Sequence, residues 1–167
     1  MKTSRYREPP TVLTHMPMFD EGDLLFFDPF KFEDGTSKPK FFVVLKNENG
    51  LSLLASLPTS KDHIPADLDV HAGCYEFPER GVNVYVFLAG ETVATDPVTG
   101  RDYHFSKNTF IYGATLNLFP VAPFLQQQLN HETTITTKGK LKQDLFNNLK
   151  ECLKNSALVK NKFKRML

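Results

Sequence analysis

KFFVVLK-NENG-LSLLASL, residues 40–57, is the stretch of sequence that decides the fold. Lys40–Lys46 and Leu51–Leu57 are short runs dominated by apolar residues, and the four residues between them end in Asn49-Gly50. An Asn-Gly pair supplies the positive φ angles that a tight hairpin turn requires. The stretch therefore predicts two antiparallel strands joined by a hairpin.

Further strands are predicted on both sides of this hairpin. Upstream, Gly22–Asp28 (GDLLFFD) is short, apolar and bounded by Gly and Pro, and a polar loop is expected over 29–39. From 58 to 81, Pro and Gly residues leave room for a bent strand but not for a long helix. Five or six short strands with frequent turns indicate a barrel or sandwich. The downstream candidates are Val82–Leu88, Asn108–Tyr112 and Ala114–Phe119, with a turn over Asp96–Gly100.

The C-terminal part changes period from strand to helix. Apolar residues at spacings of three, four and one predict a helix from about Lys140 to Asn155, with Gly139 at its boundary. A shorter helix is predicted at Phe124–Leu129, after Pro123. The fold class is therefore mainly β with a C-terminal helix (α+β). We expect an N-terminal arm over 1–19, a β-barrel domain over 20–120, and a C-terminal helical extension with a basic tail over 121–167.

Composition indicates one folded unit with segregated charge. Of 167 residues, 41% are hydrophobic and 23% charged, which is typical of a globular chain. The net charge is +1, but residues 138–167 hold nine Lys/Arg and two acids, whereas 9–137 hold eight and sixteen. The basic tail could bind RNA phosphates. The slightly favoured alternative is the solvated face and frayed end of a helix.

The two cysteines indicate a reducing compartment. Cys74 and Cys152 form one possible pair, which is too little for a disulfide framework. No apolar segment follows the basic N-terminus and none approaches membrane-spanning length, so we expect a cytoplasmic protein without membrane contact. His71 and Cys74 have a spacing that suits metal ligands, but no second Cys/His pair exists. We therefore expect neither a metal nor a cofactor.

The first half of the chain resembles the MazF/PemK family of toxin-antitoxin ribonucleases. The resemblance is carried by Gly22-Asp23 opening an apolar strand, Asp28-Pro29-Phe30, the loop Asp34–Lys38, and Pro39-Lys40 leading into Phe41–Leu45. Leu57-Pro58-Thr59-Ser60 is similar to the segment in which the family's next strand ends and a Thr-Ser follows. These motifs cover residues 20 to about 62.

The resemblance implies a fold, an activity and partners. The family has a compact SH3-like barrel with a C-terminal helix, is usually dimeric, and cleaves single-stranded RNA without metal. By resemblance this chain is an endoribonuclease toxin, a hydrolase whose partners are single-stranded RNA, an antitoxin protein and a second copy of itself. Thr59 or Ser60 takes the hydroxyl role, and Lys40 stands where the family has a catalytic Arg. Lys38, Lys61 and His63 are the expected RNA-binding residues.

The lysine at position 40 bears on catalysis. Attack of a 2′-hydroxyl on phosphorus needs a cation to stabilise the developing charge and a group that transfers a proton. An ammonium supplies charge but not the planar fork that holds two phosphate oxygens. Lys40 therefore permits catalysis and predicts a less efficient enzyme, unless His63 acts as acid or base.

Three alternatives accompany the nuclease hypothesis. The chain could be a non-catalytic barrel that binds a peptide, an antitoxin or nucleic acid, since Lys40 replaces the Arg and the body is acidic. It could instead dock another protein on its C-terminal helix. Thr59-Ser60 also suits an ordinary turn.

Five phenylalanines near the hairpin could stack on bases, although alternation should direct half of them inward. These are Phe26, Phe30, Phe32, Phe41 and Phe42.

Overall fold

The computed structural model describes residues 17–58 and 69–167, which form two antiparallel sheets and three helices. The large sheet has the order β7-β6-β10-β1-β2-β3-β9, and the small sheet has the order β4-β5-β8. The mainly β class with a C-terminal helix is thus confirmed. The strands are β1 (Asp23–Lys31), β2 (Ser37–Glu48), β3 (Leu51–Leu57), β4 (Gly73–Phe77), β5 (Val82–Phe87), β6 (Thr92–Thr95), β7 (Asp102–His104), β8 (Thr109–Tyr112), β9 (Asn117–Pro120) and β10 (Thr134–Leu141); the helices are α1 (Ala122–Leu129), α2 (Gln143–Lys154) and α3 (Asn161–Lys164).

The predicted hairpin is confirmed. Strands β2 and β3 pair antiparallel with Phe41 opposite Leu57, and Asn49 and Gly50 have φ angles of 51° and 76° in the turn. The loop expected over 29–39 is shorter than predicted. Phe30 pairs with Lys38 beyond a bulge that follows Phe27, so β1 and β2 extend into both ends of that loop.

Strand β2 contributes to two hydrophobic cores. Val43 and Leu45 belong to a large core beneath α2, whereas Phe42 and Val44 belong to a second core rich in phenylalanine. Because successive side chains on a strand point to opposite faces, a continuous apolar run is what a strand buried on both faces needs.

The C-terminal extension expected over 121–167 is wrong in one respect, because it contains a central strand. Strand β10 lies between β1 and β6, pairing Leu24 with Gly139 and Leu141 with Ala94. Gly139 therefore lies within a strand, where a Cβ atom would come within 3.0 Å of the Thr95 backbone. The close approach of the β6 backbone leaves little room for a side chain at this position, and this, rather than a helix boundary, explains the glycine. Helix α2 follows and confirms the predicted helix, starting three residues later than expected.

The basic tail is ordered. Val159 and Phe163 are buried in the large core, and Met166 and Leu167 pack against it. The interpretation of this segment as a frayed helix end is therefore wrong. Its apolar side chains pack into the large core, while most of its lysines are exposed.

The N-terminal arm is described only from residue 17. Phe19 is fully buried, and its ring packs on Phe27 and Phe124 at centroid distances of 6.3 and 6.0 Å. In the described residues, no helix is both long enough and apolar enough to cross a membrane.

The two cysteines are joined, which corrects the expectation drawn from their number. Cys74 on β4 and Cys152 on α2 form a disulfide that links positions 78 residues apart. Sequence alone missed it because nothing in the pattern places the helix face of Cys152 against β4. Cysteine usage thus no longer supports a reducing compartment, and cytoplasmic location stays a prediction.

The disulfide yields a stability prediction. Restricting the unfolded chain over so long a loop contributes about 2 to 4 kcal/mol to the free energy of unfolding. Cys74→Ser, at the exposed end of the bond, should lower the free energy of unfolding by that amount in urea titrations. Wild-type protein in reductant should match the variant, and the variant should not respond to reductant. Equal stability of oxidised and reduced wild type would contradict this.

Candidate functional site

Lys38 and Lys40 lie at the start of β2, on the face that leads into the phenylalanine-rich core. Their even positions place them on the same side of the strand as Phe42. The Lys40 Nζ lies 4.8 Å from the Phe32 ring centroid and 5.7 Å from that of Phe42. The Lys38 Nζ lies 5.5 Å from the same Phe32 ring. Two ammonium groups therefore share one aromatic side chain.

Among the described residues, these lysines lack the carboxylate partner that Lys31, Lys46 and Lys140 of the same sheet have, as does Lys138, which lies over the Phe26 ring. Lys31 pairs with Glu132 at 3.3 Å, and Lys46 pairs with Glu21 at 3.1 Å. Within 17–58 and 69–167, neither Lys38 nor Lys40 forms an ion pair. A cation held on aromatic faces without an anion keeps its capacity to attract one.

The electrostatics at Lys40 reflect this arrangement. Partial burial lowers the pKa of Lys40, and the positive charge of neighbouring Lys38 lowers it further. Both effects disfavour the charged form, so an anion bound between the two ammonium groups would relieve them.

A groove of about 460 Å³ opens beside the two lysines, and we call it the lysine groove. Its opposite wall comes from β5, β8 and the turn after β8, so it lies between the two sheets. None of its described lining residues is acidic. The lining consists of Lys38, Lys40, Ser56, Pro58, Gly81, Val82, Asn83, Val84, Tyr112, Ala114 and Thr115.

A second groove, of about 660 Å³, adjoins the first, and we call it the aromatic groove. Lys40, Ser56 and Thr115 line both grooves, so the two meet at these side chains. Half of its remaining lining residues are phenylalanines. These are Phe30, Phe32, Phe42, Phe119 and Phe124.

Among the described lining residues of the two grooves, the acidic ones belong to the aromatic groove. Glu33 and Asp34 lie in the β1–β2 loop at its rim. Asp34 accepts hydrogen bonds from the Thr36 hydroxyl at 2.6 Å and the Thr36 backbone N–H at 2.9 Å, and these bonds lower its pKa. The carboxylate is therefore held in its charged form. The charge on these two side chains is opposite in sign to that of Lys38 and Lys40.

The structure brings together part of the predicted site. Lys38 and Lys40 line one groove with Pro58, the residue before the predicted hydroxyl pair. Thr59, Ser60, Lys61 and His63 lie outside the described residues. Their proposed roles stay predictions.

Three hydroxyl residues of the lysine groove were not singled out by sequence reasoning. Ser56 stands opposite Phe42 in the β2–β3 register, so strand alternation could have located it. Tyr112 reaches the groove from the small sheet, and Thr115 from the turn after β8. Only the tertiary packing of β8 against β3 reveals them.

The residues weighed for metal binding have other contacts. The Cys74 sulfur is bonded to Cys152, and the His71 ring stacks on Tyr75 at 4.3 Å. Among the residues described, no group of three or more His, Cys, Asp or Glu could hold a metal ion.

Comparisons with known proteins add no relative. No family model matches the chain, and neither do the curated proteins or the solved structures.

The lysine pair yields a titration prediction. Lys38→Gln removes the nearby positive charge and should raise the pKa of Lys40, without restoring its ordinary value because burial persists. NMR titration of the lysine Hε–Cε resonances measures this directly. Lys46→Gln is the matched control, since six strand residues place it about 20 Å away, beyond the screening length of about 10 Å. An unchanged Lys40 pKa in Lys38→Gln would refute the coupling.

Proposed function

We propose that this chain binds single-stranded RNA, with the sugar-phosphate backbone in the lysine groove. The observation that carries the proposal is the pair of ammonium groups of Lys38 and Lys40. Within the described part of the chain, neither has a carboxylate partner, and no acidic residue lines their groove. Phosphate contacts by lysine supply most of the sequence-independent affinity for nucleic acid.

The two grooves suit the two parts of a nucleotide. A phosphate at Lys40 would stand where the grooves meet, and its base would enter the aromatic groove. Phe32 and Phe119 are only partly buried there, and aromatic rings stack on any base. The acids at that rim would keep the phosphates on the lysine side.

We further propose that the chain is a MazF/PemK-like protein with an SH3-like barrel. Support comes from the motifs over 20–62 and from the way β3 connects the sheets. Strand β3 pairs with β2 and β9 in the large sheet and also packs on β8 of the small one. Bulges in β1 and β2 supply the bending that barrel closure needs. On this proposal, an antitoxin segment would compete with RNA for the lysine groove, and the protein would form a homodimer.

Cleavage is the stronger form of the proposal. The 2′-oxygen would attack the adjacent phosphorus and the 5′-oxygen would leave with a proton, without a metal. Lys40 would stabilise the charge on the phosphate oxygens, while Thr59 or Ser60 would position them. Ser56, Tyr112 and Thr115 also line the lysine groove, and the Thr115 hydroxyl donates a hydrogen bond at 2.9 Å to the Tyr112 backbone carbonyl.

A second candidate, a binding module without catalysis, is favoured by one observation. The described lining of the lysine groove contains no His, Asp, Glu or Arg. Proton transfer at neutral pH usually depends on a group of the first three types, and bidentate phosphate binding depends on Arg. On this reading the groove holds RNA but leaves it intact.

Binding is predicted to depend on the lysine pair. Lys38→Gln/Lys40→Gln should weaken binding of a fluorescent oligouridylate about 10-fold or more at low salt and reduce the salt slope by about 1.4, or 0.7 per lost contact. Fluorescence anisotropy measures both. Lys46→Gln/Lys107→Gln, with the same loss of charge, should bind like wild type. Equal weakening in both pairs would mean that the lysine groove is not the site.

Cleavage is tested separately, with RNA in EDTA resolved on gels. A nuclease should lose its activity in Thr59→Ala/Ser60→Ala and gain activity in Lys40→Arg, because the guanidinium holds two phosphate oxygens. RNA that is bound but stays intact with wild type and Lys40→Arg alike would establish the binding module. Absence of binding by wild type would contradict both candidates.

A further inference from the structure

The C-terminal segment exposes a dense cluster of positive charge. Residues 152–167 contain five cations and no acidic residue. Four are exposed and Lys164 is half-buried, and none forms an ion pair with any described residue. We call this cluster the C-terminal basic surface; it consists of Lys154, Lys160, Lys162, Lys164 and Arg165.

The cluster is held in place from beneath. Phe163 is buried, and the Nζ atoms of Lys160 and Lys162 lie 6.0 and 4.9 Å from its ring centroid. The disulfide at Cys152 fixes the end of α2, just before Lys154. The backbone that carries these charged side chains is therefore attached to the core.

Hydrogen bonds to the Glu76 carboxylate connect the C-terminal segment to a wall of the lysine groove. Glu76 Oε2 accepts a hydrogen bond at 2.6 Å from Asn83 Nδ2, and Asn83 lines the groove. Glu76 Oε1 accepts hydrogen bonds at 3.1 Å from the Ser156 hydroxyl and from the Ala157 backbone N–H. One side chain thus joins the groove wall to the stretch that leads into α3.

Direct packing reinforces this connection. A Cβ atom on Gly113 would lie 2.8 Å from Cγ2 of Val159 and would overlap Oδ1 of Asn83. Gly113 precedes Ala114 and Thr115, which line the groove, and Val159 precedes Lys160. The basic surface therefore begins immediately behind the wall of the lysine groove.

We propose that the C-terminal basic surface is a second phosphate-binding site, which holds the part of a single-stranded RNA that extends beyond the lysine groove. The inference rests on the proposed RNA binding. The wall that this surface shares with the lysine groove identifies RNA as the occupant, and the absence of acids over 152–167 suits a polyanion. A strand long enough to pass around that wall meets this surface, whereas a short oligomer does not reach it.

RNA length separates the two sites experimentally. Uncleavable 2′-O-methyl oligouridylates of about 4 and about 16 nucleotides span the range of single-strand site sizes. The variant Lys160→Gln/Lys162→Gln/Arg165→Gln removes three exposed charges from the basic surface. The control Lys46→Gln/Arg101→Gln/Lys107→Gln removes three exposed or partly exposed charges elsewhere. Affinity is measured by anisotropy over a salt series.

Wild type should bind the long oligomer more tightly than the short one. The basic-surface variant should lose about 10-fold in affinity for the long oligomer and about 2 in its salt slope, or 0.7 per lost contact, with the short oligomer unaffected. The control should retain the length-dependent gain.

Three results would overturn the inference. In the first, the basic-surface variant keeps the full length-dependent gain. In the second, the control loses as much, which would reduce the effect to net charge. Dependence on these residues for binding phosphatidylglycerol vesicles, with RNA binding unchanged, would assign the surface to lipid and overturn it as well. Failure of the RNA proposal itself has a different signature: the short oligomer would not bind, or its binding would ignore Lys38→Gln/Lys40→Gln.

Discussion

The register of β2 is the constraint on which the rest of this molecule depends. Its odd-numbered side chains from Phe41 to Leu45 face the large core, and its even-numbered ones face the phenylalanine-rich core. A shift of one residue would exchange these faces and move both lysines away from Phe32. Burial of the FFVVL run on both sides therefore fixes where Lys38 and Lys40 lie. The candidate site is a consequence of core packing.

The distribution of charge follows from the same packing. Three lysines of the large sheet have carboxylate partners: Lys31 contacts Glu132, Lys46 contacts Glu21 and Lys140 contacts Asp23. The cations without such partners in the described structure include the lysine groove pair and the C-terminal basic surface. Glu76 links these two regions through hydrogen bonds to Asn83, Ser156 and Ala157. The folded chain thus has two cationic surfaces, the lysine groove and the C-terminal basic surface, which share the wall that contains Asn83.

Sequence patterns predicted the local features and missed those set by distant contacts. The Asn49-Gly50 turn and the apolar stripe of α2 are local, so hairpin and helix were found. Strand β10 was missed because TITTKGKL is largely polar and contains Gly139, although its place between β1 and β6 stabilises it. The disulfide was missed because Cys152 looked like one more apolar position on a helix face.

The candidate site was only partly predictable for the same reason. Lys40 was identified because the segments around it resemble the MazF/PemK motifs. Its position over Phe32 depends on a bulge in β1, which no residue pattern predicts. Tyr112 lies in the small sheet and Thr115 in the turn after β8, so the sequence pattern could not predict that they line the lysine groove.

A crystal structure of the protein with an uncleavable single-stranded oligonucleotide tests the central claim most directly. The account predicts a phosphate oxygen within hydrogen-bonding distance, about 3 Å, of the Lys38 or Lys40 ammonium, with the sugar-phosphate chain in the lysine groove. An oligonucleotide bound elsewhere, with no phosphate near either ammonium group, would contradict it.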